Sequence, residues 1–451
     1  QYTDDITLPQ QSYAFLLRSP YAHAVIKGID TAAAAKAPGV LGIFTGEHFK
    51  AVGGLPCGWL INNIDGSPMK EPKHPVLADG KVRYVGDRVA LVVAETLAQA
   101  QAAAELIEVD YEELPAVIDI TSAAGAASAV HDDVPDNVCY DWGHGNKEAV
   151  DAAFKQAAKV SRLAFANNRL IPNAMEPRAA NAQYTRHDDS YTLYVANQNP
   201  HVERLLMCAF VLGIPEHKMR VVAPDVGGGF GSKIFLYGEE TAIVFASKLL
   251  KRPIKWTCSR SEAFLSDAHG RDHATTVSLG LDKDGKFLAL QVHTTANLGA
   301  YLSTFASAVP TILYATLLAG QYTCPQIYVE VDAWFTNTAP VDAYRGAGRP
   351  EATYVVERIV ETAARDLGRD PTELRRQNFI TTFPYATPVG LTYDTGDYEA
   401  TMSRAIELAD VAGFPARKAA SEAKGLKRGL GYSAYIEACG IAPSSVAGAL
   451  G

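Results

Sequence analysis

At 451 residues the chain is long enough for roughly two to four domains with large buried cores. It is 48% apolar and 20% charged, a globular composition, and 41 basic against 50 acidic residues leave a net charge of −9, which gives no footing for nucleic acid. No apolar run approaches the about 20 residues that a membrane span needs.

The chain opens Gln1-Tyr2-Thr3-Asp4-Asp5 with no basic-then-apolar leader, so no secretion signal is expected. Residues 10–120 read as a small α/β unit. Asp30 caps a short alanine-rich helix that Gly39 ends, and residues 40–44 form a strand. Strands at 81–85 and 88–93 flank Gly86-Asp87, a tight turn. A helix over 96–106 and a strand from Glu108 follow. Leu114-Pro115 and the small residues from Ala124 to Ala129 mark the exit from this unit.

From about residue 155 the strands and helices lengthen. A strand over 191–196 delivers Asn197-Gln198-Asn199-Pro200-His201. The next helix, 200–212, stops at Gly213 and places Leu205, Leu206, Ala209 and Leu212 on one face. An apolar strand over 219–223 leads into Gly227-Gly228-Gly229-Phe230-Gly231-Ser232-Lys233, and a helix over 238–251 follows. Ala242, Ile243, Ala246, Leu249 and Leu250 form its buried face. Strands at 277–281 and 287–292 alternate around Asp282-Lys283-Asp284-Gly285, a hairpin signal. A second glycine-rich loop, Asp342 to Glu351, enters a helix that Pro350 opens and that buries Val355, Val356, Ile359, Val360 and Ala363.

Three consecutive glycines leave a backbone with no Cβ to hold a ligand away, and they tolerate φ > 0. Their N–H groups can cradle an oxygen-rich anion, with the Phe230 ring leaning over it; the same loop also reads as turn chemistry. It is no Walker loop, because no Gly-Lys-Ser/Thr ends it. It is no dinucleotide fingerprint, because Ser232 stands where the last glycine belongs. Arg345, beside Tyr344 and three small residues, offers five fixed donors to an anion. Glu176 and Arg178 are expected to pair and fix a loop, and His201 to cap or hydrogen-bond. His269 and His273 have a metal-like spacing without a zinc-enzyme motif. Cys57, Cys139, Cys208, Cys258, Cys324 and Cys439 lie far apart with no CxxC pair, which disfavours an iron–sulfur cluster or structural zinc. Reduced, buried thiols in a cytoplasmic protein are the expectation.

Several of these stretches together match one family. Met175-Glu176-Pro177-Arg178, Gln198-Asn199-Pro200-His201, Gly227 to Lys233 and Ala343-Tyr344-Arg345-Gly346-Ala347-Gly348-Arg349 resemble the large subunit of the xanthine oxidase family of molybdenum hydroxylases. Arg252 to Trp256, Arg271-Asp272-His273, Ser19 to Ala24 and Tyr84 to Asp87 add to the resemblance, which runs along essentially the whole chain. It implies a hammerhead α/β domain over 1–120 and the first of two molybdopterin-binding domains over 121–451, the second lying outside this chain. It implies that Gln198 hydrogen-bonds the apical oxo group of molybdenum. Gly228, Gly229, Phe230 and Gly231 then hold the cofactor, a molybdopterin cytosine dinucleotide, while Ala343, Tyr344, Arg345 and Gly346 form the other wall. Gln198, Phe230 and Arg345 are the residues implied in catalysis, and no protein atom ligates the metal. Further implied are a small-molecule substrate, a FAD subunit, a [2Fe-2S] subunit and a dimer of heterotrimers.

Three departures narrow the reading. Carbon monoxide dehydrogenases of the family carry a copper-binding cysteine where this chain has Gly346, so the sequence resembles the branch often labelled form II. Purine-oxidising relatives carry a glutamate at the position of Ile234, which makes xanthine an unexpected substrate. The family's basic glutamate lies in Gly-Xaa-Gly-Glu, absent from residues 1–451. Either a second molybdopterin-binding chain supplies it, or this chain is part of a longer one; Glu437 is not expected to be the base. The implied reaction inserts a water-derived oxygen at the carbon of an aldehyde or N-heteroaromatic ring and passes electrons to iron–sulfur and flavin partners. The alternatives are carbon monoxide oxidation, a non-catalytic cofactor-binding half, and a phosphate- or nucleotide-binding module.

Overall fold

The strand Arg88–Ala94 is buried along its whole length, as an apolar run covered on both faces should be. In the computed structural model, which describes residues 1–123, 125, 126 and 128–438, it lies between Ser12–Arg18 and Val40–Thr45 and is antiparallel to both. Ser12–Arg18 also pairs in parallel with Ile254–Thr257. The sheet continues through Ala179–Thr185 and Ser190–Val195 to Met219–Val222, seven strands in all. Helix Gly238–Leu250 packs on its middle, at Ala179–Thr185 and Ile254–Thr257. A small three-stranded sheet joins Lys81–Val82, Ala24–Asp30 and Glu108–Glu113.

The second large sheet has the order Val138–Gly145, Gln326–Phe335, Phe287–Gly299, His273–Leu281, Lys159–Asn167. The hairpin forms as expected, with Gly285 at φ +87° in its turn. Helix Arg349–Leu367 covers one face, where Val355, Ile359 and Val360 meet Val277, Leu279, Val329 and Val331 in the largest apolar cluster. Helix Lys147–Gln156 packs at Phe287–Gly299 and Gln326–Phe335. No helix among the described residues is long and apolar enough to cross a membrane.

Four local expectations are corrected. The alanine-rich stretch forms only a 3₁₀ turn, Ala34–Lys36, because Ala37 precedes Pro38 and is driven to an extended conformation. The strands beside Gly86-Asp87 belong to different sheets. The Asp87 carboxylate accepts the N–H groups of Arg83 and Arg88 at 3.0 Å each, engaging donors that a hairpin ladder would use. The helix at 200–212 is α-helical over Pro200–Leu206 and widens to a π turn over Met207–Leu212. That widening rotates the face, so Glu203, Leu206, Met207 and Val211 are buried while Ala209 is exposed. Leu249 is exposed as well. The five cysteines from Cys57 to Cys324 are buried and free. Ala124, Ala127 and everything from Cys439 onward, with the end of the strand pattern expected after Ile436, lie outside the described residues.

Candidate functional site

Ser190–Val195 and Met219–Val222 are parallel neighbours with Tyr191 opposite Met219, so the chain leaves both at one edge of the sheet. Crevices of α/β proteins form at such carboxyl ends. The first strand hands on to Gln198, the second to the glycine loop. The Gln198 N–H donates to the Lys233 carbonyl at 2.7 Å. Its side-chain Oε1 accepts from Gly231 N–H at 3.0 Å and, more weakly, from Lys233 N–H at 3.4 Å. Two N–H donors settle which end of the amide is oxygen. The Nε2 hydrogens are left without an acceptor among the described residues, on an exposed side chain.

The loop gains its shape from Gly228, Phe230 and Gly231, at φ +94°, +54° and +109°. Phe230 is the costly member, since a residue with a Cβ loses about 1–2 kcal/mol there. Gly229 is buried, and a Cβ on it would overlap the Gln198 amide. The N–H groups of Gly228, Gly229 and Phe230 have no acceptor among the described residues. A row of free donors beside a free amide suits an oxygen-rich group.

The second loop arrives from the other sheet and closes against the first. Arg345 N–H donates to the Phe230 carbonyl at 2.9 Å, and its guanidinium lies 5.9 Å from the Phe230 ring centre. A Cβ on Gly231 would strike the Ala343 carbonyl. Arg271, buried at φ +63°, holds this loop. It donates to the carbonyls of Tyr344 at 2.8 Å and Arg345 at 2.9 Å, and pairs with buried Glu351 at 3.0 Å. Gly346 has φ +94°, and a Cβ there would stand 2.5 Å from Pro350 Cγ. Asp342, at the root of the loop, accepts Phe305 N–H at 2.8 Å and Ala343 N–H at 2.6 Å; burial pushes its carboxyl up to about 7. Gln198, the glycine loop and the second loop are thus in direct contact, Gln198 with Gly231, Phe230 with Arg345 and Gly231 with Ala343.

Glu176 and Arg178 do not pair. Glu176 accepts Gly227 N–H at 2.7 Å and binds the buried Lys233 ammonium at 2.8 Å, so it staples the two ends of the glycine loop. Burial pulls the Lys233 ammonium below its ordinary range. Arg178 instead binds Asp267 at 2.6 Å and Glu239 at 3.2 Å, with its guanidinium 3.6 Å from the Tyr237 ring centre. Glu239 is shared with Arg18 at 2.7 Å and Arg88 at 3.6 Å. Burial opposes its ionisation, but the three arginines hold its carboxyl well below the usual range.

His269 and His273 form no metal pair. His269 contacts Arg169 at 3.1 Å, and the His273 ring sits edge-on to Tyr314 at 5.7 Å. Burial, then a neighbouring arginine, lowers them to about 4 and about 3. His201 is exposed and makes no hydrogen bond among the described residues. Sequence reasoning missed Lys233, Asp342 and Arg271 as loop holders; Lys233 and Arg271 stood in matching stretches, which was their only signal, and Asp342 stood in none.

The sequence profile of the molybdopterin cofactor-binding domain matches residues 130–379, and that of the aldehyde oxidase and xanthine dehydrogenase a/b hammerhead domain matches residues 1–115. The carbon monoxide dehydrogenase large chain of Afipia carboxidovorans is 35% identical over 476 residues, 100% of this chain and 57% of its own length. Quinoline 2-oxidoreductase from Pseudomonas putida 86 superposes with a TM-score of 0.86 at 34% identity, over 94% of this chain and 54% of its own. The chain therefore spans little more than half of these two relatives. It spans 84% of the nicotinate dehydrogenase large molybdopterin subunit of Eubacterium barkeri, to which it is 31% identical over 380 residues. With a hammerhead domain followed by a molybdopterin-binding domain, the chain belongs to the xanthine oxidase family of molybdenum hydroxylases.

Proposed function

We propose that this chain forms one wall of a molybdenum hydroxylase site that oxidises an aldehyde or N-heteroaromatic carbon. One observation carries the reading: the Gln198 amide is pinned by its oxygen, so its two N–H donors point out beside the free N–H groups of Gly228, Gly229 and Phe230. When bound, a molybdenum–pterin group supplies the two-electron oxidation and the oxygen transfer. Gln198 and the glycine loop would hold its oxygens with neutral donors set in place before reaction, which costs no reorganisation as charge develops. Arg345, exposed beside Phe230, provides the positive wall.

The finer assignments belong to the same proposal. The pterin carries a cytosine dinucleotide, electrons pass to [2Fe-2S] and FAD subunits, and the functional division of the chain falls near residue 120. The catalytic base comes from sequence outside residues 1–451. Two described glutamates beside the loops support this, because Glu176 is engaged by Lys233 and Glu351 by Arg271. The E. barkeri subunit, matched over 84% of its length, is a precedent for a short molybdopterin chain.

Carbon monoxide oxidation, the activity named for the A. carboxidovorans relative, is opposed by Gly346. A cysteine there meets both an unfavourable φ and the Pro350 ring. Metal analysis of the intact complex tests the reading: molybdenum and pterin at parity with the chain, without copper, is the expected result. Copper at parity restores carbon monoxide, and absence of molybdenum removes the hydroxylase reading. Gln198→Ala should slow substrate reduction of the enzyme about 10²–10³-fold, the usual loss for one oriented donor, with the complex still folded. An undiminished rate removes Gln198 from the site.

A further inference from the structure

Beneath Gln198 lie two carboxyl groups that the proposed chemistry does not use. Glu203 is 0% and Glu240 2% exposed; their carboxyl groups face one another within hydrogen-bonding reach, and Glu203 Oε1 meets no N–H or O–H donor among the described residues. Two carboxylates cannot hydrogen-bond one another without a proton between them. If both were ionised, Glu203 Oε1 would be a buried oxygen with no donor, a costly arrangement. The charged groups facing the pair are few. Arg178 faces both but is committed to Asp267 and Glu239, and Glu239 faces Glu240. Tyr237 meets Glu240 Oε2 with its N–H at 3.1 Å.

The placement of the pair is what gives it a role. Glu203 stands in helix Pro200–Leu206, directly after Gln198, and Glu240 in the first turn of helix Gly238–Leu250, which the glycine loop enters. Buried Asn197 donates to Glu203 Oε2 at 3.5 Å and accepts the Asn199 N–H, bracketing Gln198 from both sides. We propose that a protonated Glu203 donates to the Glu240 carboxylate and that this pair is a positioning device for Gln198. It ties the turn carrying Gln198 to the helix that anchors the glycine loop. Burial first, then the facing carboxyl, raises Glu203 well above the usual range; burial raises Glu240 to about 7. Both directions agree with a proton residing on Glu203. The functional half of this inference rests on the reading of Gln198 as a donor to the bound cofactor.

Glutamine at 203 reproduces the protonated acid, with its carbonyl toward Asn197 and its NH₂ toward Glu240, whereas leucine fills the space without either bond. The test uses the intact complex and compares wild type, Glu203→Gln and Glu203→Leu by hydrogen exchange at the Gly231 and Lys233 amides, the two donors to Gln198 Oε1. At pH 7 the glutamine variant should match wild type and the leucine variant should lose protection about tenfold, the equivalent of one unit of pK. Between pH 7 and 10 protection should fall in wild type and stay level in Glu203→Gln. Equal protection in the two variants, or a wild type as protected at pH 10 as at pH 7, overturns the pair. The rate of reduction by substrate should follow the same order, leucine slowest. Gln198→Ala is the control arm. If it leaves that rate unchanged, the cofactor reading fails, while the exchange data still decide the pair.

Discussion

Gly229 lacks a Cβ because the Gln198 amide occupies the place where one would go. The triple glycine and the glutamine were both legible in the sequence, as two of the stretches that carry the family resemblance. The sequence suggested that the glycines make room for a ligand; at Gly229 the room is taken by another residue of the chain. Gly229→Ala should therefore reproduce the defect of Gln198→Ala by displacing the amide from Gly231 and Lys233, two hydrogen bonds worth about 0.5–1.5 kcal/mol each. Rapid-reaction kinetics check this, and a wild-type rate of reduction in Gly229→Ala would show that Gln198 does not need its present place. The partner of Arg178 was not legible. Asp267 and Glu239 come to it from 89 and 61 positions away, and nothing local in Met175-Glu176-Pro177-Arg178 distinguishes them from Glu176.

Elements were easier to read than their faces. Strand and helix at 219–222 and 238–250 stand where periodicity and glycine place them. The face of the helix after Gln198 was misread, because nothing in the sequence marks the π turn at Met207–Leu212. The loop between the two elements was legible as glycine-rich but not as stapled, since Lys233 looked like a loop lysine and is instead buried on Glu176. Glu176→Ala leaves that ammonium unpaired and frees the Gly227 N–H, so it should destabilise the fold by about 3–5 kcal/mol. Glu176→Gln, which keeps an acceptor for Gly227, should cost less. Denaturant midpoints measure both, and equal losses would assign no value to the Gly227 bond.

Across the whole molecule, the N-terminal strands are joined to the site-bearing region by charge as well as by hydrogen bonds. Arg18 and Arg88 come from the first hundred residues and meet Glu239, which Arg178 from the middle of the chain also binds, all buried or nearly so. Glu239 has a folded-state pKa held below its unfolded value. Its contribution is therefore present above about pH 4.3, the unfolded value, and is lost as pH falls toward the folded one. Glu239→Gln should unfold about 3–5 kcal/mol more easily at pH 7 and show a flatter loss of stability below pH 4; an unaltered acid profile would exclude Glu239 as the group that titrates. The joined sheet also sets the order in which this protein can be made. Ser12–Arg18 pairs with Arg88–Ala94 on one side and with Ile254–Thr257 on the other. During synthesis its second edge stays open while about 160 further residues emerge, about 8–32 s at about 5–20 residues per second. An uncovered edge strand invites pairing with another chain, so this edge is exposed to mispairing until residue 254 arrives.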